Sequence, residues 1–336
     1  MAKLYLSPFT KTLLPWLITA ILLLVVFTKV DVADTLQYLK EADLRLFLPA
    51  AIFFNVYAFF INSLFYTKLI NWFCGKVKYK NILSIRGASF LISSINPGAG
   101  QGGLYLWLSR KENLPLKNVL GASLMAPFLD IIFVTMALLL PIIAQVTKGG
   151  FIPPAHFRIL VAVEIILILL VVSQLLLWIF GGWKKILKSA EKISWLYAMR
   201  TATLRHYCIL LFLRCMQHIP NLITYYVALR AFHGQVEFFV FLVRFFPALI
   251  IQYLPFTIAQ MGTTQGGWAL MFGDLIDLHI IVAFTLSWNL LYLLVRIGLG
   301  AFFFRGEARD YFKGDWRLKI TEASVNQRMS NRNGKR

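Results

Sequence analysis

Hydrophobic positions along this chain come in long blocks, with polar residues gathered between them. Apolar runs cover 13–30, 46–67, 120–146, 157–180, 207–232 and 280–304. Each is long enough to cross a bilayer as a helix. Two further apolar stretches are interrupted by glycine and proline, "INPGAGQGGLYLW" at 95–107 and "LPFTIAQMGTTQGGWALMF" at 254–272. The pattern predicts an all-α, polytopic membrane protein with six full spans and two re-entrant broken helices. Between the spans, 31–45 is acidic, and 184–204 sets Ile186, Ala190, Ile193 and Tyr197 on one helical face with lysines opposite. That segment is expected to lie flat on a membrane surface.

The chain then divides into five parts. Residues 1–45 form a signal-anchor span and an outer segment, and 46–146 form a first membrane half with its re-entrant element. Residues 147–206 hold a span and the basic surface helix, 207–304 the second half, and 305–336 a basic tail. The first run follows Lys3 and Lys11 but precedes no small-x-small cleavage pattern, so it reads as an anchor.

Composition supports this division. Of 336 residues 59% are hydrophobic, and the mean hydropathy is +0.69, more apolar surface than a water-soluble domain can hide. The net charge of +19 raises nucleic acid as a partner, but its distribution argues for topology instead. Twenty-five of the 34 Lys and Arg residues fall before the first run, in 68–86, 110–117 and 181–206, and after 304. Placing them in the cytoplasm satisfies the positive-inside rule with both termini inside the cytoplasmic membrane. Cys74, Cys208 and Cys215 form no CxxC pair, and no His/Cys cluster has metal-ligand spacing, so neither metal nor cofactor is expected.

The two broken stretches repeat. Gly75-x-Val77 and Gly234-x-Val236 precede Arg86 and Arg244, each of which is followed 11 residues later by a proline, Pro97 or Pro255. Gln101-Gly102-Gly103 then answers Gln265-Gly266-Gly267, with six extra residues in the second copy. Basic loops flank the first copy and Glu237, Asp274 and Asp277 flank the second, so the halves are expected to be inverted about the membrane plane. Inverted repeats with broken helices place substrate sites near the midplane of many transporters. Breaks at Pro97, Gly98, Gly100, Pro255 and Gly262 make sense at that depth only where protein or a wet cavity covers the backbone.

These motifs resemble the transmembrane region of lysylphosphatidylglycerol synthases and the flippase-like integral membrane proteins, over roughly 10–305. Gly75-x-Val77, the Pro-Gly-x-Gly at 97–100 and a later span with Asp130 are similar to that family's first motif, and "LPFT" to its second. The resemblance implies movement of a lipid or lipid-linked head group between leaflets, without the aminoacyl transfer that belongs to a separate soluble domain. There are departures: Gln101 and Gln265 stand where the family tends to carry Glu, and Leu104 and Pro127 where it carries Arg.

The candidate lipid-binding residues are therefore Gln101, Gly102, Gly103, Gln265, Gly266, Gly267, Arg86, Arg244, Arg214, His218 and Asp130. Arg214 and His218 are four apart and share a helix face, and Asp130 is the carboxylate placed to pair with them. Arg86 and Arg244 would serve a phosphate. Glu164 and Arg296 read as structural or interfacial. The partners expected are anionic membrane lipids. The alternatives are a non-transporting partner of a separate lipid-modifying enzyme, or an embedded head-group enzyme using Ser93, Ser94, His218 or Asp130.

Overall fold

The computed structural model describes residues 30–95, 97–179, 197–252 and 260–313, together with positions 17, 21, 24 and 28. Every element among them is an α-helix: α1 (Val32–Glu41), α2 (Leu44–Phe73), α3 (Tyr79–Ile95), α4 (Pro97–Lys111), α5 (Leu116–Ser123), α6 (Met125–Lys148), α7 (Pro154–Ile179), α8 (Tyr197–Thr201), α9 (Leu204–Ala231), α10 (Phe238–Gln252), α11 (Thr263–Phe272) and α12 (Leu278–Lys313). Four segments are long and apolar enough to cross a membrane: Leu44–Phe73, Leu116–Lys148, Pro154–Leu176 and Leu278–Phe304. They match four of the six expected spans. The expected span 207–232 is α9, a helix of 28 residues whose polar face lowers its hydropathy. The span at 13–30, Pro255, most of the surface helix at 184–204 and the tail beyond 313 lie outside the described residues.

Local chemistry accounts for the helix boundaries. Asp31 caps α1 by accepting from the Ala33 N–H at 2.6 Å, and Asp43 caps α2 by accepting from Arg45 N–H at 3.0 Å. Pro220 lies inside α9 and cannot donate to the Met216 carbonyl. The Tyr57 hydroxyl of α2 donates to that carbonyl at 2.8 Å, which spares an unsatisfied group at membrane depth.

The first broken stretch departs from expectation. α3 ends at Ile95 and α4 begins at Pro97. Gly98 and Gly100 lie in the first turn of α4, where the expectation was an open glycine turn. Proline at the first helical position costs nothing, because its missing N–H would be unpaired there anyway. Gly100 is needed for a close approach, since a Cβ there would sit 1.9 Å from the Ser93 hydroxyl oxygen. α3 and α4 therefore fold back on each other as a hairpin, and α10 packs on α11 in the same way.

α2 packs along α9, α3 along α12, and α10 along α6. The α3–α12 crossing is tight enough that a Cβ on Gly300 would lie 2.8 Å from the Leu91 nitrogen. Long-range bonds fix the two ends. At one, Asp43 N–H donates to Ala231 C=O at 2.8 Å, joining the start of α2 to the end of α9, and Asp31 N–H donates to His279 Nε2 at 3.2 Å, joining the start of α1 to that of α12. At the other, the His206 ring at the start of α9 lies 4.7 Å from Trp72 at the end of α2. The linkers 73–79 and 111–116 of the first hairpin fall at this second end, and Asn81 Nδ2 donates to Glu112 Oε1 at 2.7 Å there. The linkers 232–238 and 272–278 of the second hairpin fall at the first end.

Candidate functional site

A cavity of about 750 Å³ opens among α2, α3, α4, α6, α7, α9, α10 and α12, within the size range of small-molecule sites. Its most polar wall is α9. Arg214, Gln217, His218, Asn221 and Tyr225 line the cavity, and their spacing of three, four, seven and eleven from Arg214 puts them on one helix face. Asn55, Asn62 and Tyr66 of α2 face them, and Asn62 Nδ2 donates to Gln217 Oε1 at 3.0 Å.

Asp130 of α6 stands 3.1 Å from Arg214 Nε and 3.5 Å from His218 Nε2. The Arg214 contact is an ion pair by distance only, and none of these three atoms has an aligned hydrogen bond. The Arg214 side chain is 5% exposed and that of Asp130 41%, so the carboxylate looks into the cavity while the guanidinium is held behind it. Arg214 Nη1 also donates to Gln217 Oε1 at 3.1 Å, and its plane lies 4.0 Å from the Phe65 ring. Phe133 stacks on His218 at 4.4 Å.

Arg86 of α3 lines the same cavity, buried and held by rings: 4.9 Å to Tyr66 and 5.6 Å to Phe90. Arg296 of α12 approaches Phe90 from 4.4 Å, and its Nη1 donates to Tyr292 OH at 2.9 Å. Arg296, read from sequence as structural or interfacial, lies near the end of the apolar segment Leu278–Phe304 and on the cavity wall.

Of the Gln-Gly-Gly triplets only the first touches the cavity. Gln101 lines it, one turn into α4. A Cβ on Gly102 would meet nothing within 4 Å, and one on Gly103 would have ordinary contact with Ile92. Gln265 is fully buried, and its Oε1 accepts from the Gly262 N–H at 2.6 Å. Gly262 sits at φ 89°, a left-handed position suited to glycine, as the N-cap of α11. Gly266 has open space, whereas Gly267 lets α11 pack on α10, with the Ala248 carbonyl 3.0 Å from where its Cβ would be. The second hairpin reaches the cavity instead through Gln252 and Gln260. Gln252 Nε2 donates to Tyr225 OH and to Gln260 Oε1, both at 2.9 Å.

Arg244 lies away from the cavity. Its Nε donates to the Phe151 carbonyl at 2.5 Å, Nη1 to the Met271 carbonyl at 2.6 Å, and Nη2 to Asp274 Oδ2 at 2.9 Å, with Nη1 also on Asp274 Oδ1. These bonds hold the Asp274 carboxyl below the ordinary carboxylate range. Arg244 thus ties the C-terminal turn of α11 to the 149–153 loop.

Sequence reading missed Asn55, Asn62, Gln217, Asn221, Gln252 and Gln260. The signal was there for α9, as a stripe of polar residues at helical spacing through an apolar run. The residues of the second hairpin had none, because the chain path that turns Gln252 inward is not written in local periodicity.

Residues 12–300 match the family model for the lysylphosphatidylglycerol synthase transmembrane region, a stretch that holds every residue lining the cavity. The chain belongs to that family. No curated protein matches it significantly. Family and spans together make it an integral membrane protein related to lipid metabolism.

Proposed function

We propose that this member of the lysylphosphatidylglycerol synthase transmembrane family is a flippase-like transporter, moving an anionic or polyprenyl-phosphate-linked lipid between leaflets. The observation that carries the reading is the cavity itself, which gathers Arg86, Arg214 and Arg296 around a single carboxylate, Asp130. Ionisable groups at membrane depth are costly and mark substrate pathways. Arginine is suited to phosphate because its fork presents several donors at once.

The architecture is read as an inverted repeat in which α2, α3–α4 and α5–α6 correspond to α9, α10–α11 and α12. Support comes from the linkers of the two hairpins lying at opposite ends, and from each hairpin packing its first arm on the last span of the other half. Both hairpins are read as re-entrant. The end bearing Lys76, Lys78, Lys80, Lys111 and Lys117 is read as cytoplasmic, and the end bearing Asp31, Asp34, Glu41 and Asp277 as external. On this reading the protein sits in the cytoplasmic membrane with both termini on the cytoplasmic side.

The test is leaflet exchange of a fluorescent anionic phospholipid in liposomes, with Ser109→Cys and Asp277→Cys accessibility as the topology control. Wild-type protein accelerates exchange, while Arg86→Gln and Arg214→Gln do not. Exchange at the wild-type rate in both variants would overturn the reading. Labelling of both cysteines from the same side would overturn the inversion.

A further inference from the structure

The cavity is not charge-neutral. Its lining holds three arginines and one carboxylate, and Asp130 stands against Arg214, so one guanidinium is compensated. Arg86 and Arg296 are not. Arg86 contacts the rings of Tyr66 and Phe90, and Arg296 contacts those of Phe90 and Tyr292 with one bond to the Tyr292 hydroxyl. The Nε of each is buried with no hydrogen-bond acceptor, and neither has a carboxylate partner among the described residues. Both guanidinium carbons lie close to one ring, 5.6 and 4.4 Å from the Phe90 centroid, so their separation cannot exceed those two distances together. Two cations this close and unneutralised repel each other and are costly to hold. Tyrosine and phenylalanine rings offset part of that cost. The rest calls for an anion.

We infer that Arg86 and Arg296 form one head-group subsite that takes a phosphomonoester or diphosphate lipid, with two negative charges, in preference to a singly charged phosphodiester. The two uncompensated guanidiniums match two charges, and their placement around a single ring fits one compact group better than two distant ones. A cationic head group is disfavoured. That includes lysylphosphatidylglycerol, in which one phosphodiester is outweighed by two amines. The inference rests on the reading that a lipid occupies the cavity, and it is silent on transport.

It is tested by binding alone, so that loss of exchange and loss of the subsite are read separately. Full-length protein in neutral detergent at pH 8 is titrated with dioleoylphosphatidic acid, dioleoylphosphatidylglycerol, dioleoylphosphatidylcholine or inorganic pyrophosphate. Thermal unfolding and native mass spectrometry report occupancy. Phosphatidic acid is expected to bind about tenfold more tightly than phosphatidylglycerol, with phosphatidylcholine weaker still. Arg86→Gln and Arg296→Gln should each bring phosphatidic acid down to the affinity of phosphatidylglycerol. Because each removes an uncompensated charge, each ligand-free variant should unfold at or above the wild-type temperature. A folded variant with its preference intact would overturn the assignment. Equal binding of all three lipids would overturn the charge selection while leaving a lipid site in place. Binding of pyrophosphate without phosphatidic acid would overturn the lipid as its source.

Discussion

The two hairpins begin from similar sequence and end in different work. In the first, Arg86, Ser93, Gln101 and Tyr105 all line the cavity. In the second, the counterpart arginine is bonded outward to Asp274 and two backbone carbonyls, the counterpart glutamine caps its own helix, and neutral Gln252 and Gln260 face the cavity. Between these two counterparts, the arginine that carries its own carboxylate serves the fold, and the one that lacks it is available to a ligand. Similar motifs thus specify a shared shape, while the partners each side chain finds decide whether it binds or braces.

That contrast is broken most directly at the two arginines. Arg244→Met should collapse the second hairpin, because it strands Asp274 and unpairs the Phe151 and Met271 carbonyls. Removing one member of a buried pair costs about 3–5 kcal/mol. The low end, about 3 kcal/mol, is expected here since the Asp274 side chain is 47% exposed. Denaturant unfolding in detergent measures it, and a loss below about 1 kcal/mol would mean Arg244 is no brace. Next in size is Gly300→Ala. Its Cβ would meet backbone at Leu91, so α3 and α12 must move apart, at about 1–3 kcal/mol. The same change at Gly298, where a Cβ meets nothing within 4 Å, should leave stability within about 0.5 kcal/mol.

The glutamines sharpen the comparison at smaller cost. Gln265→Ala leaves the buried Gly262 N–H without its acceptor and should lose about 1–2 kcal/mol, with exchange reduced only as far as folded protein is lost. Gln101→Ala, on a side chain exposed to the cavity, should leave unfolding unchanged and slow exchange. If Gln265→Ala instead slows exchange at full stability, the two triplets do equivalent work and the asymmetry is wrong.

Much of this was legible beforehand. Four spans, the two hairpins and the shared face of Arg214 and His218 follow from hydropathy, glycine-proline breaks and helical spacing, all of which act over a few turns, whereas the contact of Asp130 with that face is set by the chain path. Arg244 shows where that stops. Flanked by "FFVFLV" and "FFPALII", it reads as a buried charge seeking a ligand, and only the chain path reveals Asp274, 30 residues on, and the carbonyl of Phe151, 93 residues back. Arg296 shows a second limit, since its place along an apolar run does not say that its helix face meets the cavity.

The smallest effect is set by pH. Asp274 titrates below the ordinary carboxylate range because Arg244 bonds to it, and Asp277 does so because the His279 N–H and ring bond to it. A carboxyl with a depressed folded-state value adds stability that is present above its unfolded value, near 3.9, and is lost as pH falls through the lower folded one. Both groups brace the linker between α11 and α12. Unfolding temperature should therefore stay level from about pH 5 upward on their account and fall below about pH 4, with 273–281 the first segment to gain hydrogen exchange. Asp274→Asn should reproduce part of that loss at neutral pH and flatten the acid step. An acid step of unchanged size in the variant would assign it to other carboxylates and detach Arg244 from the stability of the second hairpin.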